Sequence, residues 1–246
     1  MNPPSIEQRL SLRARPVRRP VMFQRWDDLL FLHWEIEPAR IQAMLPPGLF
    51  VDTFEGRAFV GVVPFYMRRV RPAWLPCVPG ISEFLELNVR TYVHDAQGRA
   101  GVWFFSLDCN QPLAVWAARL FFGLPYFHAR MTASRAPDGI THYRSTRRGK
   151  RAEFACTYAL AGDVFAAEPG TLEFFLIERY LLFAQKGRGL FSGRVHHSPY
   201  PLQRVEGLTF EGDLLAAQNF PTEAESAHVI GSAGVQVDIF AVEKVD

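Results

Sequence analysis

The sequence predicts an α+β protein made mostly of antiparallel β-sheet that curls into a barrel-like shell. About ten segments have strand character and only two or three short segments have helical character. The helical segments do not alternate with the strands, as they would in a parallel βαβ protein. Among the 246 residues, 48% are hydrophobic and 21 are Phe, which indicates a substantial, aromatic-lined core.

The strand segments are rich in β-branched and aromatic residues, and turn residues such as Pro137-Asp138-Gly139 separate them. The predicted strands are 27–36, 56–71, 84–93, 101–107, 126–134, 141–147, 153–160, 195–205, 208–217 and 235–242. The predicted helices are 38–44, 110–122 and 170–176. Residues 178–185 continue the last helix or form a strand, and 70–80 and 187–192 are predicted to be loops.

The clearest strand, 84–93, alternates between two faces. Leu85, Leu87, Val89, Thr91 and Val93 share one face, and Phe84, Glu86, Asn88, Arg90 and Tyr92 share the other. If the polar face points outward, the strand is an ordinary solvated one. If it points inward, a buried Arg90 offers a planar clamp for a carboxylate. The residues alone slightly favour the outward orientation.

The segment 110–122 predicts an amphipathic helix. Asn110 is placed to cap its beginning, and Gly123 is placed to end it in a left-handed conformation. The apolar stripe of this helix, predicted to face the core, consists of Leu113, Trp116, Ala117, Leu120 and Phe121.

Other polar clusters carry weaker signals. Glu178 and Tyr180 form either an acid–hydroxyl pair or part of an ion pair at the rim, and the residues do not decide between them. His196 and His197 are expected to be structural, since no metal-ligand spacing accompanies them. We therefore expect no metal site, and the absence of GxGxxG, GxxxxGK[ST] and GxSxG motifs argues against nucleotide folds and α/β-hydrolase chemistry.

Composition limits the partners and the location of the protein. Residues 1–21 are expected to be a flexible, basic, irregular arm, and 22–246 a single domain. The net charge of +2 gives no argument for nucleic acid, and no apolar run predicts a membrane span. Three widely spaced cysteines and no secretory signal favour reduced thiols and a cytoplasmic location.

Eight segments in order resemble a known family, the uncharacterised YqjF-like proteins. The segments are WDDLLFLHWEI, LPPGL, FVGVVPFYM, FLELNVRTYV, GVWFFSLD, AARLFFGLPYFHARM, GTLEFFLIERY and VHHSPYPLQ. That family is similar to the acetoacetate decarboxylase-like superfamily. The resemblance implies a cone-like, mostly antiparallel β-barrel that encloses a ligand cavity, with short helices outside.

The resemblance also implies a loss of chemistry. Acetoacetate decarboxylase forms a Schiff base on a lysine after a turn similar to Phe122-Gly123-Leu124-Pro125. In this chain Tyr126 stands at the lysine position, and tyrosine cannot form an imine. We therefore expect no Schiff-base decarboxylation and no cofactor.

On this resemblance the polar face of strand 84–93 points inward, and the best-supported function is small-molecule binding. Arg90 would anchor an anionic or carbonyl group, while Glu86 and Tyr126 would exchange hydrogen bonds with the ligand. Asn88, Trp103, Phe105, Glu178 and Tyr180 are the further candidate ligand-binding residues.

Two other functions stay open on the same resemblance. One is a lyase, hydratase or cyclase in which Glu86 acts as general base and Tyr126 as general acid. The other is a structural protein with a vestigial cavity, and a homo-oligomer is compatible with each of the three readings.

Overall fold

A computed structural model describes residues 3–149, 152–221 and 228–245. The strands are Met22–Ile36 (β1), Leu49–Val51 (β2), Ala58–Pro72 (β3), Phe84–Asp95 (β4), Ala100–Cys109 (β5), Tyr126–Arg135 (β6), Thr141–Arg147 (β7), Glu153–Phe165 (β8), Leu181–Lys186 (β9), Gly189–His196 (β10), Leu202–Gly212 (β11), His228–Ile239 (β12) and Glu243–Lys244 (β13). The α-helices are Ile6–Ser11 (α1), Pro38–Gln42 (α2), Pro112–Ala117 (α3) and Leu172–Ile177 (α4).

The strands form one mixed sheet whose pairing closes on itself. Its order is β13-β10-β9-β5-β6-β7-β8-β11-β12-β1-β3-β4-β2, and β4 additionally pairs with β5. Most neighbours are antiparallel, but β5 runs parallel to both β6 and β9. The extra β4–β5 pairing joins distant parts of the sheet into a barrel. The predicted α+β, mostly antiparallel fold class is confirmed.

Strand β4 and the segment 29–34 of β1 are buried on both faces. Along β1, Phe31 packs into one hydrophobic core and Leu32 into a second one on the opposite side of the sheet. All twelve residues of β4 are buried. The continuous apolar run in β1 therefore follows from two-sided packing rather than from a solvated face.

Two predicted boundaries in the second half of the chain are wrong. The segment 187–192 was expected to be a loop, but Gly189 begins β10 and Phe191 pairs with Ala184 of β9. The segment 208–217 was expected to be a strand, but β11 ends at Gly212 and residues Ala216–Gln218 form a 3-10 turn. Residues Leu181–Lys186 form a strand, which decides the ambiguity left by the sequence.

The prediction that residues 1–21 are irregular is wrong for the segment that contains α1. Ser5 and Gln8 form a reciprocal capping box at its beginning, which the Pro- and Arg-rich composition masked. Arg9 then makes two hydrogen bonds, of 2.6 and 2.7 Å, to the buried carboxylate of Asp52. Leu12 is buried as well. The positive charge of this segment is thus used in a contact with the domain.

The helix after β5 exists, but its predicted orientation is wrong. Gln111, and not Asn110, caps α3, and a π-helix over Ala118–Phe122 continues it. Gly123 ends it with φ of 66°, as predicted. Four residues of the predicted core stripe are exposed instead: Leu113, Trp116, Leu120 and Phe121. Ala114, Val115 and Ala118 pack against the first hydrophobic core instead.

Candidate functional site

The barrel encloses a cavity of about 170 Å³ whose walls are largely apolar. Strands β1, β3, β4, β5 and β6 and the inner face of α3 contribute to it. The apolar residues around it include Leu29, Val63, Phe65, Met67, Phe84, Phe104, Leu107, Phe122 and Leu124. Six polar side chains also line it: Gln24, Glu86, Asn88, Arg90, Tyr126 and Tyr200. An apolar chamber with a few polar groups is the usual form of a small-molecule site.

The polar face of β4 points into this cavity. Glu86, Asn88 and Arg90 all line it, because side chains two residues apart along a strand project to the same side. The apolar residues that alternate with them along β4, such as Leu87 and Val89, pack into the second core on the other face of the sheet. The slight preference for an outward polar face, based on the residues alone, is therefore wrong.

Glu86 and Tyr126 form a direct hydrogen bond within the cavity wall. The Tyr126 hydroxyl donates to Glu86 Oε2 at 2.6 Å, and both side chains are buried. Burial raises the pKa of Glu86 to about 7, although hydrogen bonds from Tyr126 and Asn88 act in the opposite direction. Burial and the nearby Glu86 charge raise the pKa of Tyr126 well above its ordinary value. Tyr126 therefore keeps its proton at neutral pH and donates it in a hydrogen bond, and the pKa of Glu86 lies near neutral pH.

Arg90 has no carboxylate within ion-pair distance among the described residues. Its Nη2 donates to the backbone carbonyl of Leu176 at 3.3 Å, while its buried Nε has no hydrogen-bond partner. The guanidinium carbon lies 5.4 Å from the ring centre of Phe31 and 5.6 Å from that of Tyr92. These rings stabilise the cation partially, but they leave N–H groups available for an acceptor.

The other two arginines that are buried in the described part of the chain are neutralised. Arg147 Nε donates to Asp108 at 2.7 Å, and Arg179 Nη1 donates to Asp52 at 2.7 Å. Buried charges are normally paired in this way because an unpaired one is costly. The unpaired state of Arg90 is thus specific to the cavity and not a general property of this fold.

Asn88 lies between the acid and the cation on the same strand. Its side chain hydrogen-bonds to Glu86 and lowers the pKa of that carboxyl. Its Oδ1 is buried and has no hydrogen-bond partner, so it remains available as an acceptor. The three polar residues of β4 therefore present an acid, an acceptor and a cation in sequence along one wall.

The prediction that Trp103 and Phe105 form cavity walls is wrong. Trp103 packs against a separate small core, and Phe105 lies edge-to-face with Phe220 at 5.0 Å, in the second core. A register shift in the β4–β5 ladder, between the pairs Val89/Ser106 and Arg90/Phe104, causes this. The bulge inserts an extra residue and changes the alternation, so Phe104 lines the cavity instead.

The prediction that Glu178 and Tyr180 contact a ligand also needs correction, since neither lines the cavity. The Tyr180 hydroxyl donates to Glu178, and the backbone N–H of Tyr200 donates to the same carboxylate at 3.2 Å. Arg13, just after α1, donates to Glu178 at 3.3 Å. The Tyr180 ring stacks on His197 at 4.6 Å. Glu178 is thus a structural anchor that joins the N-terminal segment to the domain.

Sequence reasoning missed two polar cavity residues, Gln24 and Tyr200, and Tyr200 is the one that lies beside Arg90. It follows the His196-His197-Ser198-Pro199 segment, in which the two histidines attracted attention. Its ring packs edge-to-face on Phe31 at 5.6 Å, beside Arg90. The prolines on both sides of Tyr200 could have indicated this position, because they restrict the backbone to an extended conformation and so fix the direction of the Tyr200 side chain.

No lysine of the described chain lines this cavity. Lys186 donates to the carbonyl of Leu120, and Lys244 is exposed on β13. Lys150 lies outside the described residues. No group of three or more His, Cys, Asp or Glu in the described ranges could hold a metal ion, and no helix there combines the length and hydropathy needed to cross a membrane.

The chain is similar to proteins whose function is not established. The family DUF2071, described as an uncharacterized conserved protein, matches residues 23–236. The uncharacterized protein YqjF of Bacillus subtilis (strain 168) is 39% identical over 186 residues, which cover 76% of each chain.

Solved structures extend the comparison to enzymes. An acetoacetate decarboxylase-like enzyme from Sphingomonas wittichii RW1 has a TM-score of 0.65 at 16% identity, over 93% of this chain and 94% of that one. Acetoacetate decarboxylase from Legionella pneumophila has a TM-score of 0.65 at 13% identity, over 100% and 96%. The enduracididine biosynthesis enzyme MppR, complexed with pyruvate, has a TM-score of 0.64 at 15% identity, over 94% and 92%. At these identities the likeness concerns the fold alone. The chain therefore belongs to the DUF2071 family, and its fold is the one found in acetoacetate decarboxylase-like enzymes.

Proposed function

We propose that this protein binds a small molecule that has an apolar body and an anionic or carbonyl-containing head group. The single observation that carries this proposal is Arg90, a buried cation on an apolar cavity with no carboxylate partner among the described residues. A cation in such a place is unfavourable for the empty protein. An anionic or strongly polarised oxygen at this point would satisfy both the charge and the unused Nε–H.

The remaining wall supports an apolar body for the ligand. Phe65, Met67 and Phe104 surround the space with hydrocarbon and aromatic surface, which favours a chain or ring without further charges. A cavity of about 170 Å³ admits only a small molecule. An open space of this kind also supports ligand binding over a vestigial interior filled by side chains.

Schiff-base chemistry does not fit the described cavity. The resemblance of the Gly123-Leu124-Pro125 turn to that of the decarboxylase puts Tyr126 at the lysine position, and the described wall contains no amine. A carbonyl ligand would therefore be held by a hydrogen bond from the unused Nε–H of Arg90 and would not become covalently attached. That MppR is complexed with pyruvate supports a carbonyl-containing head group as one class to test.

A second function, catalysis by general acid–base chemistry, is favoured by the Glu86–Tyr126 pair. A carboxyl group with a pKa of about 7 exchanges protons readily at neutral pH, which is what a general base needs. The Tyr126 hydroxyl beside it can turn from Glu86 to hydrogen-bond a carbonyl or hydroxyl oxygen of the substrate. This arrangement suits a lyase, hydratase or cyclase reaction on the bound molecule.

Thermal unfolding against a ligand panel tests the binding function. The panel contains pyruvate, α-ketohexanoate, hexanoate and octanoate, together with uncharged hexanamide and apolar ketones. A ligand at 100 times its dissociation constant adds about 2.7 kcal/mol of stability, which raises the melting temperature by several degrees. We expect carboxylates with apolar chains to raise it in the wild type and not in Arg90→Leu. A flat panel would contradict the proposed class of ligand.

A further inference from the structure

Two neighbouring segments expose an unusual amount of apolar surface on one side of the barrel. We name this surface the aromatic face. It consists of Trp74, Leu75, Val78 and Ile81 from the loop after β3, and Leu113, Trp116, Leu120 and Phe121 from α3 and the following π-helix. Trp74 is 74% exposed, Trp116 60% and Phe121 58%. Single exposed apolar residues are ordinary, but a cluster of eight marks a site of interaction.

The two segments form one surface because they are bonded to each other. The side-chain amide of Gln111, the N-cap of α3, donates to the carbonyl of Gly80 in the loop at 2.7 Å. On the helix itself, the rings of Trp116 and Phe121 meet edge-to-face with centres 6.2 Å apart. Loop and helix therefore present their apolar side chains side by side on a fixed base.

Helix α3 and the π-helix after it expose large apolar side chains to solvent, which is unfavourable for a protein surface in water. Across α3 and the π-helix that follows it, Ala114, Ala118 and Phe122 face the cavity. Four large apolar residues nevertheless face outward: Leu113, Trp116, Leu120 and Phe121. An amphipathic helix in contact with water normally has its polar side outside. The large outward residues are thus placed for a second, apolar or interfacial environment.

Unpaired cations predominate beside the aromatic face, because the nearest acid along the loop, Glu83, is already paired with Arg68 at 3.6 Å. Arg57, Arg68 and Arg135 of the two segments are paired with carboxylates elsewhere on the domain. Arg71 and Arg119 have no ion-pair partner among the described residues, and the same holds for Lys186 beside the helix. Several cations are fixed by backbone carbonyls of the face or beside it. Arg71 donates to Leu75 at 3.2 Å, Lys186 to Leu120 at 2.8 Å, and Arg119 to Tyr126 at 2.7 Å.

We propose that the aromatic face docks onto the surface of an anionic lipid bilayer. Trp and Phe side chains are suited to the boundary between head groups and acyl chains, and arginines and lysines beside them attract anionic head groups. A second copy of the chain fits less well, because a two-fold interface brings the same patch of each copy together. It would place Arg71, Arg119 and Lys186 of both copies near one another without adding a carboxylate to pair with them.

This inference does not depend on the proposed ligand. The membrane contact would lie directly outside the cavity, because one side of α3 lines the cavity and the opposite side belongs to the aromatic face.

Sedimentation with vesicles tests the proposal. The full-length protein is mixed with vesicles of phosphatidylcholine alone, or of phosphatidylcholine with phosphatidylglycerol, and the bound fraction is measured at low and high salt. We expect binding to the phosphatidylglycerol vesicles that weakens as salt rises. Trp116→Asp should reduce this binding about tenfold, because it places a negative charge in the contact. Replacing Arg71 and Lys186 together by Glu should remove the preference for the anionic lipid.

The matched control is Val164→Asp on β8. Val164 is 59% exposed, close to the value for Trp116, but it lies outside the aromatic face. Circular dichroism and melting curves establish that each variant is folded. The proposal is overturned if the folded wild type does not bind anionic vesicles, or if Val164→Asp loses as much binding as Trp116→Asp. Sedimentation without lipid gives a further test: a wild-type oligomer that Trp116→Asp converts to a monomer would assign the face to a second copy instead.

Discussion

The hydroxyl of Tyr126 lies 2.6 Å from Oε2 of Glu86, and this bond connects β6 to β4 inside the wall of the cavity. Burial raises the pKa of both groups, so the pair holds its protons more tightly than the same residues in water. At neutral pH, therefore, the pair is poised between a neutral state and a state with one negative charge on Glu86. Two predictions follow from this relationship.

The first prediction concerns the pH dependence of stability. The pKa of Glu86 is about 7 in the folded protein, whereas its ordinary value, which applies to the unfolded chain, is 4.5. Between pH 4.5 and 7 the folded state therefore holds a proton that the unfolded state has lost. The stability of the wild type relative to Glu86→Gln should therefore fall as pH rises from about 4.5 to 7, by on the order of 3 kcal/mol. Chemical denaturation of both proteins across this range measures the difference. A difference that stays constant with pH would show that Glu86 titrates normally.

The second prediction concerns Tyr126→Phe. The hydrogen bond from Tyr126 lowers the pKa of Glu86, so its removal should raise that pKa further. The window in which stability falls should then extend to a higher pH than in the wild type. The same denaturation series detects this, and a window shifted to lower pH would contradict the assigned direction of the bond.

The third prediction compares two buried arginines without any ligand. Arg147→Leu should destabilise the protein by about 3–5 kcal/mol, because it leaves the buried Asp108 without its cation. Arg90→Leu should cost much less or should stabilise the protein, since no carboxylate loses its partner. Urea denaturation gives both values. A large loss of stability in Arg90→Leu would show that Arg90 is a structural cation instead of a binding group.

Most of the fold and the polar residues that line the cavity from β4 could be predicted from the sequence. The alternation along Phe84–Asp95 correctly separates Glu86 and Arg90 from the apolar residues between them. Alternation does not say which side of a strand is the interior, and in β4 both sides are buried. Only the resemblance of eight segments to a known family favoured the correct orientation before the structure was considered.

The errors come from features that depend on distant contacts. The bulge that turns Phe105 away from the cavity exists only in the pairing of β5 with β4, so the local alternation predicts the wrong aromatic residue. The exposed side of α3 carries Leu113 and Trp116, and a helical stripe of such residues normally indicates a core. The helical period identifies the apolar side of α3, but it does not distinguish a side that packs in the core from a side that binds a partner.

A fourth prediction concerns the N-terminal helix. Asp52 forms ion pairs with both Arg9 and Arg179. Arg9→Ala should therefore release α1, while Asp52 keeps Arg179 as its partner. We expect faster proteolytic cleavage within residues 1–21, with little change in the melting temperature of the domain. Arg15→Ala is the matched control, because Arg15 binds Asp238 at a more exposed position. Equal cleavage rates in the two variants would show that the Arg9–Asp52 contact does not hold the helix.

The central claim, that Arg90 receives the charged head of a small ligand, is tested most directly by calorimetric titration. The wild type and Arg90→Leu are each titrated with the carboxylate that stabilises the wild type most, and with its uncharged primary amide. We expect the wild type to prefer the carboxylate by at least tenfold, and Arg90→Leu to lose that preference, since a charged hydrogen bond contributes about 1.5–3 kcal/mol. Equal affinities of the wild type for both molecules, or unchanged carboxylate binding by Arg90→Leu, would contradict the claim.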